Sequence, residues 1–338
     1  MRRAHSVALL AALLLLAGGA ASAATLWVGA KEDDRLVAID LASGEIRARL
    51  PTGAGPHEVA VSPDGRRVAV VAYGRRGAPA ETPRDIVDVF DAATSAHPAR
   101  IPLAPYGSPH GIAWMDDGRH LLVTAERDRR LLIVDAASRT VADAVDTGAA
   151  GSHLLARDPR RPRAYVTSLG DGVVSVIDLE ARRLVKTVPS GRQAEGVAVT
   201  PDGEELWVTN RAEDTVAVFA LPGVTRLATI TSAGVPIRVA FSPDGRLAAV
   251  SNARAGTVVL FDRATRRPLR TIGFKTGDVP PLPVGLLFHP DGGRLYVALT
   301  GPGEIAEVAV ADGRILRRFA AGAGADGMAI SPLAFSGT

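Results

Sequence analysis

Seven positions that share one register of a repeated pattern combine imidazole and carboxylate side chains, and such a combination can do chemistry. In chain order they are His57, His110, His153, Glu195, Ile237, Val284 and Asp326. Neighbouring members are 42 to 53 residues apart, and three of the six histidines that follow the first 23 residues fall at this register. Side chains at one register of stacked repeats converge. A cluster of histidines and acids is therefore predicted.

Imidazole nitrogens flanked by a carboxylate are a ligand set for Zn, Cu or Fe. We therefore predict that His57, His110 and His153 hold a divalent transition metal. Glu195, Asp326 and the neighbouring Glu58 are predicted to contact a small ligand, such as a carboxylate or a lactone. A solvated channel lined by the same side chains is the competing interpretation, because water readily satisfies exposed polar groups.

The elements that must position these residues are short strands joined by tight turns. In residues 201–221 a Pro-Asp-Gly turn precedes two stretches in which apolar residues alternate with others, which is typical of half-buried strands. Two strands cannot bury an apolar face alone, so the repeats must stack. A period near 42 residues with about four strands per unit predicts a β-propeller.

The number of blades follows from the two ends of the chain. Residues 26–50 read as three strands without a first strand, whereas residues 326–332 read as a first strand with nothing after it. Pairing the two segments closes a ring and leaves no open sheet edge. We therefore predict an all-β chain, with a seven-bladed propeller of four-stranded antiparallel blades as a single domain over residues 24–338.

Two repeats also carry a family resemblance. Tyr165-Val166-Thr167-Ser168 and Trp207-Val208-Thr209-Asn210, with the strands that follow them, resemble the YVTN repeat of bacterial extracytoplasmic β-propellers. The resemblance extends over residues 25 to 332. It implies a seven-bladed propeller similar to quinoprotein-type and lactonase-type members, and it leaves the activity open.

The propeller prediction divides the loops between two faces. The register of His57 and two insertions, residues 74–84 and 275–282, belong to one face, and long loops on a rigid scaffold are places where binding residues concentrate. The Pro-Asp-Gly turns belong to the other face, together with four clusters of arginine. The clusters contain Arg66-Arg67, Arg160-Arg161, Arg182-Arg183 and Arg266-Arg267. They suggest either an anion surface or a solvated rim, and a low aromatic content of 4% argues against nucleic acid.

The first 23 residues have the features of a general secretory signal peptide. Arg2 and Arg3 precede an apolar run over residues 7–17, and small residues at 21–23 end the segment. We expect cleavage after Ala23 and a monomer in the periplasm or outside the cell, without a transmembrane segment. The chain has no cysteine, which excludes disulfides, a thiolate metal site and covalently attached haem. The formal charge of +3, which includes Arg2 and Arg3, gives no strong attraction to nucleic acid or membranes.

Three functions fit these observations, and the first is favoured. A binding or scaffold protein would hold a metal, a small ligand or a protein partner at the histidines. A lactonase-type or lyase-type enzyme would use a divalent cation there to polarise a carbonyl. An accessory protein of a quinoprotein or redox system would need a cofactor from elsewhere. No sequence motif of a serine hydrolase, zinc protease or phosphate-binding loop is present, and a triad assembled from separate loops stays open.

Overall fold

The computed structural model describes residues 24–94, 96–275 and 277–337, and the signal-peptide prediction lies outside them. Twenty-eight strands are present in these ranges. They are β1 (Thr25–Ala30), β2 (Arg35–Asp40), β3 (Ile46–Pro51), β4 (Pro56–Val61), β5 (Arg67–Ala72), β6 (Ile86–Asp91), β7 (Ala99–Pro102), β8 (Pro109–Trp114), β9 (His120–Ala125), β10 (Arg130–Asp135), β11 (Thr140–Asp146), β12 (Ser152–Arg157), β13 (Arg163–Ser168), β14 (Val173–Asp178), β15 (Arg183–Pro189), β16 (Ala194–Val199), β17 (Glu205–Asn210), β18 (Thr215–Ala220), β19 (Thr225–Thr231), β20 (Pro236–Phe241), β21 (Leu247–Asn252), β22 (Thr257–Asp262), β23 (Pro268–Gly273), β24 (Pro283–Phe288), β25 (Arg294–Leu299), β26 (Glu304–Ala309), β27 (Ile315–Ala320) and β28 (Ala325–Ser331).

The strands form seven antiparallel sheets of four strands each, which confirms the predicted seven-bladed propeller. We number the blades in chain order: blade 1 is β4–β7, blade 2 is β8–β11, blade 3 is β12–β15, blade 4 is β16–β19, blade 5 is β20–β23 and blade 6 is β24–β27. Blade 7 combines β28 with β1, β2 and β3. The first strand of each blade contacts the first strands of its two neighbours, so these seven strands surround the centre.

Closure occurs as the two chain ends predicted. β28 pairs with β1 in antiparallel register, with Leu26 opposite Ile330 and Trp27 opposite Ala329. The tail beyond β28 adds a second connection, because the ring of Phe335 meets Trp27 edge-on at 5.6 Å. The amide of Ser336 then bonds to the carbonyl of Ala93 in blade 1. The C-terminal segment therefore joins the two ends of the chain within blade 7 and also connects blade 7 to blade 1.

The hydrophobic core lies between the blades. Seven apolar clusters are present in the described part of the chain, and each joins residues of two adjacent blades. Trp27, Trp114 and Trp207 belong to three of these clusters, as expected for side chains on strand patterns. Burial of aromatic and branched side chains between sheets stabilises the ring and leaves the channel wall free for polar residues.

Candidate functional site

A shift in strand pairing presents the repeated register to the channel. In blade 1, β4 and β5 pair at Pro56 and Ala72 and again at Val59 and Val70, with an irregular step between. His57 and Glu58 lie in that step, and every first strand has the same kind of shift near its start. Bulges of this kind re-aim side chains. We call the seven residues at this register the inner ring, and they are His57, His110, His153, Glu195, Ile237, Val284 and Asp326.

Adjacent polar members of the inner ring come together. The ring centres of His57 and His110 are 4.9 Å apart, and those of His110 and His153 are 3.7 Å apart. His153 Nε2 lies 3.7 Å from Glu195 Oε1. The side chains of His110, His153, Glu195 and Asp326 are all buried. The sequence therefore identified a contiguous cluster on five blades.

His153 has acidic groups at both ring nitrogens. Nδ1 lies 3.0 Å from Glu126 Oε2, and Nε2 faces Glu195. Burial alone would lower the pKa of His153, but the hydrogen bond to Glu126 and the nearby charge of Glu195 outweigh it and raise the pKa. Carboxylates accept hydrogen bonds and cannot donate them when ionised. His153 is therefore the imidazole of the cluster that is most suited to carry a positive charge.

His57 and His110 are held in the neutral form. Burial lowers the pKa of His57, and burial together with the positive charge of His153 lowers the pKa of His110 further. His57 Nδ1 lies 2.9 Å from the carbonyl oxygen of Gly55. A carbonyl can only accept, so Nδ1 carries the proton and Nε2 carries the lone pair. His57 is thus prepared to accept a proton at Nε2.

Arg238 enters the same cluster from the opposite side of the channel. It lies on β20, and its Nη2 is 2.5 Å from Glu58 Oε1 on β4, a strand that is not adjacent to β20 in the ring. It also lies 3.6 Å from Glu195 and 4.0 Å from Asp326. Burial opposes the charge of this guanidinium, but the three carboxylates raise its pKa above the ordinary value. Arg238 therefore spans the channel and ties three acids together.

A second ring of residues surrounds the inner ring and was not identified from the sequence. Its members directly follow the second strand of each blade and are Lys31, Tyr73, Glu126, Leu169, Arg211, Ala253 and Thr300. Lys31 Nζ lies 3.0 Å from Asp326 Oδ2, and Arg211 Nη1 lies 2.9 Å from Glu195 Oε2. Burial would raise the pKa of Asp326, but the charges of Lys31 and Arg238 lower it. We call the two rings together with Glu58 and Arg238 the mouth.

Signals for the missed residues were present in the sequence. The second ring repeats with the same spacings as the inner ring, from Lys31 to Thr300. Arg238 and Glu58 both occupy the position after the inner ring, where four other blades have glycine. Two opposite charges at a position that holds glycine in four blades and Leu154 in the fifth indicate a pair across the channel.

The histidines do not converge on one point. The rings of His110 and His153 are stacked with an interplanar angle of 38°. Lone pairs lie in the ring planes, so stacked imidazoles direct them side by side instead of toward a shared centre. Within the described residues, no group of three or more His, Asp or Glu side chains is arranged to hold a metal ion. The metal site at His57, His110 and His153 stays a prediction that this arrangement does not support.

The arginine clusters of the opposite face, which we call the turn face, brace neighbouring blades. Arg67 Nη2 donates to the carbonyl of Gly118, and the Arg67 guanidinium lies 4.6 Å from the centre of the Trp114 ring. Arg161 Nη1 donates to the carbonyl of Gly203 at 2.9 Å. Arg266 pairs with Glu205 at 3.0 Å. These contacts fit the interpretation of the clusters as a structural rim.

The first insertion forms one wall of a cleft on the mouth face. The cleft has a volume of about 660 Å³, and its lining includes Tyr73, Arg75, Arg76, Arg84 and Arg127. Arg75 is fixed by a two-point bond to Asp34, at 2.9 and 2.8 Å. Tyr73 belongs to both regions, because its ring also lies 5.0 Å from that of His57. The cleft and the histidines are therefore neighbours.

The second insertion packs against blades 5 and 6. A Cβ placed on Gly301 would lie 1.8 Å from the carbonyl oxygen of Pro280, and one on Gly256 would lie 2.8 Å from the ring of Pro281. Both glycines are in loops that follow second strands. This insertion therefore lies on the apolar side of the mouth, away from the histidines.

Comparisons with known proteins agree with this architecture. Hydrazine synthase of Kuenenia stuttgartiensis has a similar structure, with a TM-score of 0.70 and 18% sequence identity over 85% of this chain and 92% of that chain. Identity at this level shows a shared fold. No curated protein matches the sequence of the chain. No helix in the described residues is long and apolar enough to span a membrane.

A family model provides the more specific result. The model described as "Lactonase, 7-bladed beta-propeller" matches residues 31–276, which is most of the chain. The matched segment contains His57, His110, His153, Glu195 and Arg238. The YVTN likeness stays a resemblance beside it. The chain belongs to the lactonase family of seven-bladed β-propellers.

Proposed function

We propose that the chain binds a small molecule carrying a carboxylate or a lactone carbonyl at the mouth. One observation carries the proposal: buried polar atoms of three blades meet there without hydrogen-bond partners among the described residues. These atoms are His110 Nδ1, Arg238 Nη1 and Asp326 Oδ1. Buried polar groups in folded proteins are nearly always hydrogen-bonded. A polar ligand would supply the missing partners.

The neighbouring cleft supports an anionic ligand. Arg76 and Arg84 line the cleft and make no ion pair with a described residue. Guanidinium groups bind carboxylates well because their N–H donors match the two oxygen atoms. The cleft adjoins His57 through Tyr73. An anionic group in the cleft would thus place a neighbouring carbonyl near the histidines.

Binding can be tested by NMR with protein labelled at the histidine side chains. Gluconate and sorbitol are suitable probes, since they share a chain of hydroxyl groups but only gluconate carries a carboxylate. We expect saturable shifts of the His57, His110 and His153 signals with gluconate and none with sorbitol. The signal of His97, an exposed residue outside the mouth, should not move. Equal responses to both probes, or no response to gluconate, would refute the carboxylate requirement.

Hydrolysis of a lactone is a second candidate, and the state of His57 favours it. Neutral His57 with a lone pair at Nε2 can take a proton from water as the oxygen attacks the lactone carbonyl. The carbonyl π electrons move to oxygen, and Arg238 and Lys31 are two of the cations of the mouth that can stabilise this negative charge. When the ring C–O bond breaks, the imidazolium returns the proton to the leaving alkoxide. The product is a hydroxy acid.

A pH-stat assay with γ-butyrolactone and δ-valerolactone tests this candidate. We expect acid release by the wild-type protein, and a loss of at least about 100-fold in His57→Gln, as is typical when a general base is removed. His97→Gln serves as the matched control and should retain full activity. Activity that survives His57→Gln would exclude this residue as the base. Absence of activity toward any lactone would leave the binding role alone.

The metal-assisted form of the enzyme is tested separately. Elemental analysis of the purified protein and of His110→Ala would show whether metal content depends on the cluster. Equal metal content in both would remove the ligand prediction, and hydrolysis that is unchanged by a chelator would remove the metal-assisted mechanism. We also propose, from the signal-peptide pattern, that the protein acts in the periplasm or outside the cell. A redox accessory role has no support beyond the shared fold.

A further inference from the structure

A set of buried hydroxyl groups lies directly behind the mouth. Thr124, Thr167, Thr209 and Ser251 occupy one register on the second strands β9, β13, β17 and β21. Each of the four side chains is fully buried. A buried hydroxyl needs hydrogen-bond partners, and a hydroxyl can donate one bond and accept others. Each of these four hydroxyl groups must therefore find its hydrogen-bond partners within the protein.

Each hydroxyl connects two blades by the same pair of bonds. Thr124 Oγ1 accepts a bond of 2.8 Å from the amide of Gly111 in its own blade and donates one of 2.6 Å to the carbonyl of His153 in the next blade. Thr167 Oγ1 accepts from the amide of Leu154 at 3.2 Å and donates to the carbonyl of Glu195 at 2.6 Å. In both cases the accepting carbonyl belongs to an inner-ring residue.

The remaining two members repeat the pattern. Thr209 Oγ1 accepts from the amide of Gly196 at 2.7 Å and donates to the carbonyl of Ile237 at 3.1 Å. Ser251 Oγ accepts from the amide of Arg238 at 3.1 Å and donates to the carbonyl of Val284 at 2.8 Å. The same pair of bonds is thus present in blades 2 to 5, and the inner-ring residue whose carbonyl accepts the donated bond differs from blade to blade.

We infer that Thr124 and Thr167 are positioning residues that set the contacts of His153 with its two carboxylates. Glu126 follows Thr124 by two residues on the same blade, so the bond from Thr124 to the His153 carbonyl fixes the blade of Glu126 against the backbone of His153. The bond from Thr167 does the same for Glu195 and the blade of His153. Each hydroxyl therefore holds one partner of an imidazole–carboxylate pair against the other. The inference does not depend on what the mouth binds.

The close approach of the first strands agrees with this role. A Cβ placed on Gly111 would lie 3.0 Å from the His153 carbonyl oxygen, and one on Gly196 would lie 2.3 Å from the Ile237 carbonyl oxygen. Without a side chain at these positions, adjacent strands can come near enough for a single hydroxyl to bridge them. Gly111 and Thr124 act together to bring blades 2 and 3 to the distance at which His153 meets Glu126. Blade 3 has Leu154 at the position of Gly111, and there the bond from Thr167 to the Glu195 carbonyl joins blades 3 and 4.

Thr124→Val tests the inference, because valine keeps the shape of threonine and removes the hydroxyl. In the wild-type protein we expect a slowly exchanging, downfield NMR signal from the His153 Nδ1 proton, since Glu126 accepts it. In Thr124→Val this signal should broaden or disappear. The Gly111 amide should also exchange with solvent faster by on the order of tenfold, since it loses its acceptor. Thr124→Ser keeps the hydroxyl and should restore both observations.

Ser175→Ala is the matched control. Ser175 is also fully buried and donates a bond of 2.6 Å to a carbonyl of the preceding blade, at Thr147, but it lies on the third strand β14 away from the mouth. This variant should leave the His153 signal and the Gly111 exchange unchanged. A His153 signal in Thr124→Val that equals that of the wild type would overturn the inference, as would its loss in Ser175→Ala.

A second substitution covers failure of Thr124→Val to fold. Thr167→Val removes the bond to the Glu195 carbonyl and should weaken protection of the His153 Nε2 proton, while faster exchange appears at the Leu154 amide. An unchanged Nε2 proton with faster Leu154 exchange would show a purely structural hydroxyl and contradict the inference.

Discussion

The two faces of the propeller handle charge differently. On the turn face, the aspartates of the turns accept bonds from residues close in sequence: Thr200 Oγ1 donates to Asp202 and Ser242 Oγ donates to Asp244, each at 2.6 Å. On the mouth face, Arg238 and Asp326 come from different blades and approach only to 4.0 Å. The turn aspartates therefore complete local structure and the turn-face arginines reach only the neighbouring blade, whereas Arg238 meets Glu58 across the channel.

This difference indicates where the repeat is free to specialise. A Pro-Asp-Gly turn needs its aspartate wherever the turn occurs, because the carboxylate accepts bonds from the backbone of the turn itself. The inner-ring side chains are not needed to hold a turn together, so the same register can hold histidine, an acid or an aliphatic residue. Specialised chemistry in this chain lies where the repeats differ from one another.

The largest expected effect comes from removing the buried charge at the centre of the mouth. Arg238→Met should lower the free energy of unfolding by about 3–5 kcal/mol, because Glu58, Glu195 and Asp326 would lose their shared cation. Urea unfolding followed by circular dichroism measures this. Arg246→Met on the turn face is the control, since that side chain is 85% exposed, and a change of no more than about 0.5 kcal/mol is expected. A similar cost for both would mean that the two faces do not differ in this way.

Two glycine substitutions compare the faces through the backbone. A Cβ on Gly285 would lie 2.1 Å from the Asp326 carbonyl oxygen, whereas Gly245 in a turn has a φ of 69° with more open surroundings. Gly285→Ala should cost about 1–3 kcal/mol through crowding, and Gly245→Ala about 1–2 kcal/mol through its left-handed backbone.

Asparagine separates the two causes. It tolerates a left-handed backbone better than alanine but is larger, so Gly245→Asn should recover stability relative to alanine and Gly285→Asn should not. Thermal unfolding measures all four variants. Recovery by asparagine at residue 285 would contradict crowding as the cause.

The fold could be predicted because its determinants are local. The alternating strand pattern, the Pro-Asp-Gly turns and the incomplete units at the chain ends each depend on short stretches, and together they fix seven blades. The side-by-side placement of His57, His110 and His153 followed from their shared register alone. In a closed ring of repeats, equivalent sequence positions lie at equivalent places around the channel. The inner ring could therefore be predicted from the repeat alignment.

The chemistry of the site was harder to predict because it depends on pairs between blades. The stacking of His110 on His153 depends on ring orientation, which register does not specify, and this orientation disfavours the predicted metal set. Arg238 pairs with Glu58 from across the channel, and no local pattern reports that contact. The positions of the second ring repeat visibly in the sequence. Their role follows only from the contacts of Lys31 and Arg211 with carboxylates of the inner ring.

The pH dependence of stability should differ between histidines of the mouth. The pKa of His110 is lowered in the folded state, so the unfolded chain binds its proton more readily and stability falls as pH drops below the ordinary value of 6.5. The pKa of His153 is raised, so its contribution is present below 6.5 and is lost as pH rises through the folded value.

Substitutions isolate the two contributions. His110→Asn should flatten the acid side of the stability curve by on the order of 1 kcal/mol, and His153→Gln should flatten the side above pH 6.5. Urea unfolding between pH 5 and 8 measures both, with His97→Gln as the control that keeps the wild-type curve. Loss of acid-side dependence in His153→Gln instead would reverse the assignment of neutral and charged imidazoles.

The smallest effect is expected at an exposed pair beyond the mouth. Arg182 and Asp143 lie 3.4 Å apart, with side chains that are 52% and 37% exposed. Water screens such pairs, and holding two flexible side chains together costs entropy, so Arg182→Ala should change the free energy of unfolding by less than about 0.5 kcal/mol. Unfolding in low and high salt should give the same difference between variant and wild type. A larger, salt-sensitive loss would show that charges away from the mouth are also coupled, and the arginine clusters would then need a role beyond bracing.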